Sequence, residues 1–132
     1  MKQSRGSIAV EGVILAPVFV LFLVFVTFAG RVAETKHQLN LAADVAARGA
    51  SMSSASSISN RAVEIASRSM LQHRSSCRSF QARVMKSVVS GVLQVEVVTS
   101  CRVDIAGLSL LGIHTPTLTS ISREVVDAYR HP

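Results

Sequence analysis

The chain places one carboxylate at the edge of a long apolar run, in the hexapeptide GSIAVE that ends at Glu11. No side chain from Gly12 to Gly30 is charged, so Glu11 stands directly before a stretch suited to lipid. A plain membrane anchor gains nothing from this carboxylate, because charge inside a bilayer costs free energy. We therefore expect Glu11 to be recognised by another protein or to pair with a cation.

The two cysteines offer a second kind of chemistry. Cys77 and Cys101 both follow the apolar run, and the sequence has no other cysteine. An isolated pair in an exported domain predicts a disulfide, which persists outside the cytoplasm. Closing that loop would stabilise the domain by roughly 3 to 4 kcal/mol in the chain-entropy model. Two unrelated buried thiols are the alternative.

Nothing else in the sequence has the spacing of a catalytic or metal site. Histidine occurs at His37, His73, His114 and His131. These positions are far apart, with no carboxylate or cysteine at ligand spacing. The sequence also lacks a glycine-rich phosphate loop and a serine in a nucleophile elbow. We expect no enzyme activity, no metal and no cofactor.

The length and charge of the chain limit its function further. Its 132 residues, less the apolar run, leave a small core without room for a deep cleft. The net charge of +6 could attract nucleic acid, acidic lipids or acidic polymers. The arginines are spread along the sequence, however, and aromatic residues make up only 5% of it. Stacking platforms are scarce, so we expect no specific nucleic-acid partner.

Hydrophobic periodicity predicts helices in the first half of the chain. A helix over residues 12–30 would cover roughly 28 Å, close to the thickness of bilayer hydrocarbon. Beyond it, a stripe of small residues from Val32 to Ala50 predicts a helical extension. The stripe could pack against the protein's own domain or against another helix. The serine-rich residues 51–60 predict a joint, and a shorter helix then runs to about His73.

The second half of the chain alternates with a period of two, which predicts strands. Ser90 and Gly91 are expected to form a two-residue hairpin turn between two such strands. The predicted register pairs Val88 with Leu93, Val84 with Val97, and Phe80 with Cys101. Cys77 then lies three residues before the partner of Cys101, so a disulfide requires the chain to bend back. The apolar residues 105–117 are expected to cover the hairpin, with docking of a partner as the alternative. A third strand follows with an uncertain face.

The amino-terminal residues resemble a known processing site. A short basic leader ending in glycine, with glutamate five positions later and an apolar helix behind it, resembles the cleavage site of type IV prepilins. On this resemblance Gly6 is the last leader residue, Ser7 becomes the new amino terminus, and Glu11 is the glutamate of the motif. The segment RGSIAVEGVILAPVFVLFLVFVTFAGRVAETKHQLNLAADVAARGAS, in turn, resembles TadE-like proteins, minor pilin-like components of tight-adherence systems.

The spacing gives this resemblance a physical meaning. Cleavage after Gly6 would leave a largely charged amino group on Ser7 at neutral pH. Glu11 lies four residues on, so both groups would share one helix face about 6 Å apart along the axis. In a bundle of subunits, Glu11 could meet a neighbour's amino group, which removes the cost of its charge and sets an axial stagger.

The prediction is an α+β protein: a transmembrane helix extended by an Ala-rich helix, then a small extracytoplasmic domain with an antiparallel hairpin or meander. Its divisions are a leader (1–6), the helix and extension (7–50) and the domain (51–132). The amino terminus would be cytoplasmic and the anchor would lie in the inner membrane. The resemblance implies membrane lipid, a prepilin peptidase, other pilins and the assembly platform as partners. Two alternatives remain: an uncut anchored binding domain, and a secreted binding domain released near Ala29.

Overall fold

The computed structural model of the protein describes residues 4–72, 76–104 and 114–126. Its elements in chain order are helix α1 (Ser4–Ser51), helix α2 (Ile58–Gln72), and strands β1 (Cys77–Val89), β2 (Val92–Val103) and β3 (Thr117–Val125). A long apolar amino-terminal helix, a second helix and an antiparallel sheet confirm the predicted α+β class. Most of the apolar segment that was expected to cover the hairpin, residues 105–113, lies outside the described residues.

Helix α1 is the longest element, with 48 residues, and it includes Pro17 without an interruption of its helical assignment. It continues past Gly30, as the small-residue stripe predicts. The chain divides into two compact units, Met1–Arg31 and Val32–Pro132, so packing assigns residues 32–50 to the same unit as the sheet. This second unit is called the sheet unit below.

Serine side chains mark the end of α1. The hydroxyl groups of Ser51 and Ser53 donate to the carbonyl oxygens of Arg48 and Gly49, at 2.8 and 3.0 Å. These are carbonyls of the last turn, which have no amide partner further along a helix that stops here. The serine-rich joint therefore ends one helix before α2 begins at Ile58.

The strands form one antiparallel sheet in the order β1-β2-β3. All three predicted cross-strand pairs occur in the register of β1 and β2: Val88 with Leu93, Val84 with Val97, and Phe80 with Cys101. The turn between them has positive φ at both Ser90 (53°) and Gly91 (80°). Two positive φ values are typical of the type I′ turn, whose twist matches that of a hairpin.

The core lies between the helices and one face of the sheet. Ala46, Ala47 and Ala50 of α1 form one cluster with Ile58, Ala62 and Ala66 of α2 and with Val95 and Val97 of β2. Each of these side chains is fully buried. The small-residue stripe of α1 thus packs against the protein's own domain, which decides between the two alternatives that the sequence left open.

Small side chains let the two helices approach closely. A Cβ atom built on Gly49 would lie 2.3 Å from Cδ1 of Ile65 in α2. A Cβ atom does not approach a non-bonded atom so closely in real structures, so even alanine at position 49 would force the tip of Ile65 to move. Glycine at this position is therefore explained by packing between helices.

Candidate functional site

The described part of helix α1 before Arg31 exposes a continuous apolar surface. The large apolar side chains from Val10 to Val26 have between 37% and 75% of their surface exposed. A window of this helix has a mean hydropathy of 2.7, and none of that window is buried. Water does not favour so much exposed hydrocarbon. The length and composition of this helix fit a single-pass membrane anchor, and it is the one such helix among the described residues.

Glu11 is exposed within this apolar helix. Helical spacing places it on the same face as Ile14, Leu15 and Val18, all of which are apolar and exposed. Within the part of the chain that the structure describes, Glu11 has no ion pair or hydrogen bond. A carboxylate on an apolar helix face is stabilised when a cation pairs with it.

The backbone of Gly6 and Ser7 lies within α1, one turn before Glu11. Ser7 and Glu11 are four positions apart in the helix, or about 6 Å of axial rise, with both residues on one face. The backbone is therefore compatible with the spacing on which the predicted processing and pairing depend. Whether Gly6 is a cleavage site stays a prediction.

The structure brings Cys77 and Cys101 together, with the two sulfur atoms 2.04 Å apart and the Cα atoms 5.7 Å apart. The bend that the register requires is an irregularity between Cys77 and Ser79, after which Cys77 pairs with Val103. Cys101 is almost fully buried against Leu39 and Met70, whereas Cys77 is partly exposed at the start of β1. Such a bond would join the start of the edge strand β1 to the central strand.

The histidines give no sign of a second site. His37 and His114 are exposed in different elements, and His73 and His131 lie outside the described residues. Among the described residues, no group of three or more histidine, cysteine, aspartate or glutamate side chains could hold a metal ion.

Sequence reasoning missed a feature of the sheet face that points away from the helices. A shallow cleft of about 90 Å³ opens there, lined by Ser79, Gln81, Ser100, Cys101, Arg102 and Thr117. Residues of all three strands line this cleft, so the cleft exists only when segments that are distant in the sequence pair in the sheet. The alternation of polar residues along β1 and β2 was a signal for an exposed face, but it did not indicate a cleft.

Comparison with known families supports the resemblance seen in the amino-terminal residues. The family model described as TadE-like protein matches residues 6–48, which include Gly6, Ser7, Glu11 and the apolar helix. No curated protein and no solved structure matches the chain. The TadE-like match confirms the resemblance over residues 6–48.

Proposed function

We propose that the protein is a minor pilin-like, or pseudopilin, component that helps to assemble a tight-adherence pilus of the type IV kind. The observation that carries this proposal is Glu11, which has no ion pair with a described side chain and lies on an exposed apolar helix inside the segment that matches the TadE-like family. The role is structural and not enzymatic. Its partners would be membrane lipid, other pilins and the assembly platform.

In this proposal a prepilin peptidase cuts the chain between Gly6 and Ser7. The new amino group on Ser7 of one subunit then pairs with Glu11 of a neighbour as the helices bundle. Pairing removes most of the cost of holding either charge in an apolar environment. A pair between neighbouring subunits would favour assembly, because each carboxylate then meets a cation of a second chain in the apolar environment.

The proposed orientation has a cytoplasmic amino terminus, with the sheet unit outside the inner membrane. Lys2 and Arg5 precede the apolar helix, and cationic residues favour the cytoplasmic side. The approach of Cys77 to Cys101 supports an extracytoplasmic sheet unit, because disulfides persist in oxidising compartments. The charges after the helix, Arg31 and Lys36, make charge counting alone nearly balanced.

The secreted alternative keeps one observation in its favour. The boundary between the compact units falls after Arg31, close to Ala29, so release there would free a unit with its own core. The uncut anchor is the other alternative. Each of the three proposals predicts a different amino terminus for the mature protein: Ser7 for the pilin-like form, Gly30 for the secreted form, and Met1 or Lys2 for the uncut anchor.

The intact mass of the mature protein from its native host tests these proposals, with and without Gly6→Ala. We expect the wild-type chain to lose residues 1–6 and the Gly6→Ala chain to keep them, because a side chain at the last leader position would block cleavage. Gly12→Ala is a matched control, since it changes a nearby glycine that has open space around it. A wild-type chain that stays uncut, or ends at Gly30, would contradict the proposal.

The same samples, measured before and after reduction, test the proposed orientation. A disulfide between Cys77 and Cys101 makes the unreduced chain lighter by two hydrogen atoms and protects both sulfurs from alkylation. Free thiols at both positions in protein taken from the host would remove the support that the cysteines give to an extracytoplasmic sheet unit.

A further inference from the structure

The side of α1 that faces away from the sheet carries exposed acidic and apolar side chains. Glu34, Leu41, Asp44 and Val45 lie on one helix face, and each is exposed. Leu41 and Val45 have 39% and 44% of their surface exposed. Asp44 has no ion pair among the described residues, and Glu34 accepts a hydrogen bond from Gln38. These four residues are called the helix stripe below.

The outer face of the sheet carries the opposite charge. Cross-strand pairing places Arg83, Val98 and Ile121 in one row across the three strands. A second row holds Ser79, Arg102 and Thr117, which line the shallow cleft. These two rows are called the outer sheet surface below.

The positive charge on the outer sheet surface is not neutralised within the described part of the chain. Arg83 and Arg102 form no ion pair with a described carboxylate. Arg123, on the same face, is already paired with Glu96 across the strands. The guanidinium groups of Arg83 and Arg102 are therefore available to carboxylates of another molecule.

The two surfaces also match in spacing. Ten helical residues separate Glu34 from Asp44, which is about 15 Å along the axis. Arg83 and Arg102 are four residues and one strand apart, or about 14 Å between their Cα atoms. The spacing of the two carboxylates on the helix therefore matches that of the two guanidinium groups on the sheet. Within the helix stripe, Leu41 lies one turn before Asp44 and Val45 lies one turn after Leu41. On the sheet, Val98 and Ile121 lie in the row of Arg83.

We propose that the helix stripe of one copy of this chain docks on the outer sheet surface of a second copy. In this contact Asp44 pairs with Arg83, and Leu41 and Val45 cover Val98 and Ile121. The carboxylate of Glu34 enters the polar cleft and meets Arg102. The occupant of each surface is thus a second copy of the sheet unit, selected by charge complementarity and by the spacing of its charges.

This contact is heterologous, because the two surfaces differ and lie on opposite sides of the sheet unit. A heterologous contact that does not close into a ring repeats without limit and builds a filament. The inference deepens the proposed function, on which its biological meaning rests. The contact itself does not depend on cleavage after Gly6, so it can be tested on the uncut chain.

Charge reversal in the full chain, purified in detergent micelles, tests the contact through self-association measured by sedimentation. Asp44→Lys and Arg83→Glu should each weaken self-association by about 3- to 10-fold, because each places like charges together at the contact. The double variant restores the pair with its signs exchanged, so it should recover most of the wild-type association. Arg61→Glu, on α2, makes the same charge change outside the contact and should have little effect.

Three results would overturn the proposal. They are absence of self-association in the wild type, single variants that associate like the wild type, and a double variant no stronger than the single ones. The first of these would assign the two surfaces to proteins other than a second copy.

Crosslinking tests the register independently. Chains with Leu41→Cys are mixed with chains carrying Ile121→Cys and treated with a short bismaleimide, which should give a crosslinked dimer of the two variants. Val63→Cys on α2 is the matched control, with 39% of its surface exposed, and it should not crosslink to Ile121→Cys. Equal yields for both mixtures would contradict the proposed register.

The outcomes separate the contact from the proposed function. A chain that self-associates through these surfaces but keeps residues 1–6 in its host would contradict the proposed processing and leave the contact intact. A chain that is cut after Gly6 but whose self-association is unchanged by the charge reversals would contradict the contact and leave the proposed processing intact.

Discussion

Single polar side chains join α1 to the sheet, one of them inside the apolar core and the others at its edge. The hydroxyl of Thr99, which is fully buried, donates to the carbonyl oxygen of Leu39 at 3.1 Å. The ammonium of Lys36 donates to the carbonyl oxygen of Thr119, and the hydroxyl of Ser120 donates to Asn40. These contacts fix which part of α1 faces which strand, because apolar packing alone has no direction.

Replacing Thr99 by valine keeps the shape of this buried side chain and removes its donor. We expect the free energy of unfolding of the sheet unit to fall by about 1 kcal/mol, the usual value for one hydrogen bond, since the Leu39 carbonyl retains its helical partner. Amide hydrogen exchange of β2 in detergent micelles measures this change. Thr119→Val, at an exposed position, is the control, and a loss of equal size there would contradict the role assigned to Thr99.

At the scale of elements, the hairpin of β1 and β2 depends on its turn. Gly91 has a φ of +80°, a conformation that side chains with a Cβ rarely adopt. Ser90 also has a positive φ, of 53°, which asparagine tolerates better than serine. A substitution at Gly91 should therefore lower the stability of the hairpin, whereas asparagine at Ser90 should maintain or raise it.

We expect Gly91→Ala to destabilise the hairpin by about 1 kcal/mol through backbone strain, although there is open space around this glycine. Ser90→Asn should leave its stability unchanged or raise it by a few tenths of a kcal/mol, because asparagine suits a type I′ turn. Exchange rates of the β1 and β2 amides measure both effects. If alanine at position 91 had no effect, the positive φ of the turn would be in question.

At the scale of the whole molecule, all described buried residues belong to the sheet unit. The core runs from Thr35 to Val126, and no described residue before Val32 is buried. The apolar helix of the first unit thus gains no burial from the described chain, and its exposed surface suits lipid or other helices. The two units have separate physical requirements, one for a bilayer and one for an internal core.

A chain that begins at Val32 should therefore fold by itself. We expect it to be soluble without detergent and to keep the β2 amide protection of the full chain, because it contains both core clusters. Circular dichroism and hydrogen exchange measure this outcome. As a comparison, a chain that begins at Ser51 lacks the alanines of α1 and should lose that protection. If the Val32 chain were unfolded, the first unit would have to contribute to the core.

Local patterns in the sequence were sufficient for the elements and for the hairpin. Nineteen uncharged residues, helical periodicity and strict alternation each report how a segment meets its surroundings, so they predicted the apolar helix, α2 and the pairing of Phe80 with Cys101. The Gly6, Ser7 and Glu11 motif was equally local, and residues 6–48 match the TadE-like family model. Such features depend on neighbours along the chain, which a sequence displays directly.

Only the tertiary structure decided what the local patterns left open. It packed the small-residue stripe of α1 against the protein's own sheet, and it placed Arg83 and Arg102 on one outer face although 19 positions separate them in the chain. The sequence showed those arginines as scattered charges. Pairing of distant strands determines which charges become neighbours, and the free energy of that pairing comes from the core on the opposite face of the sheet.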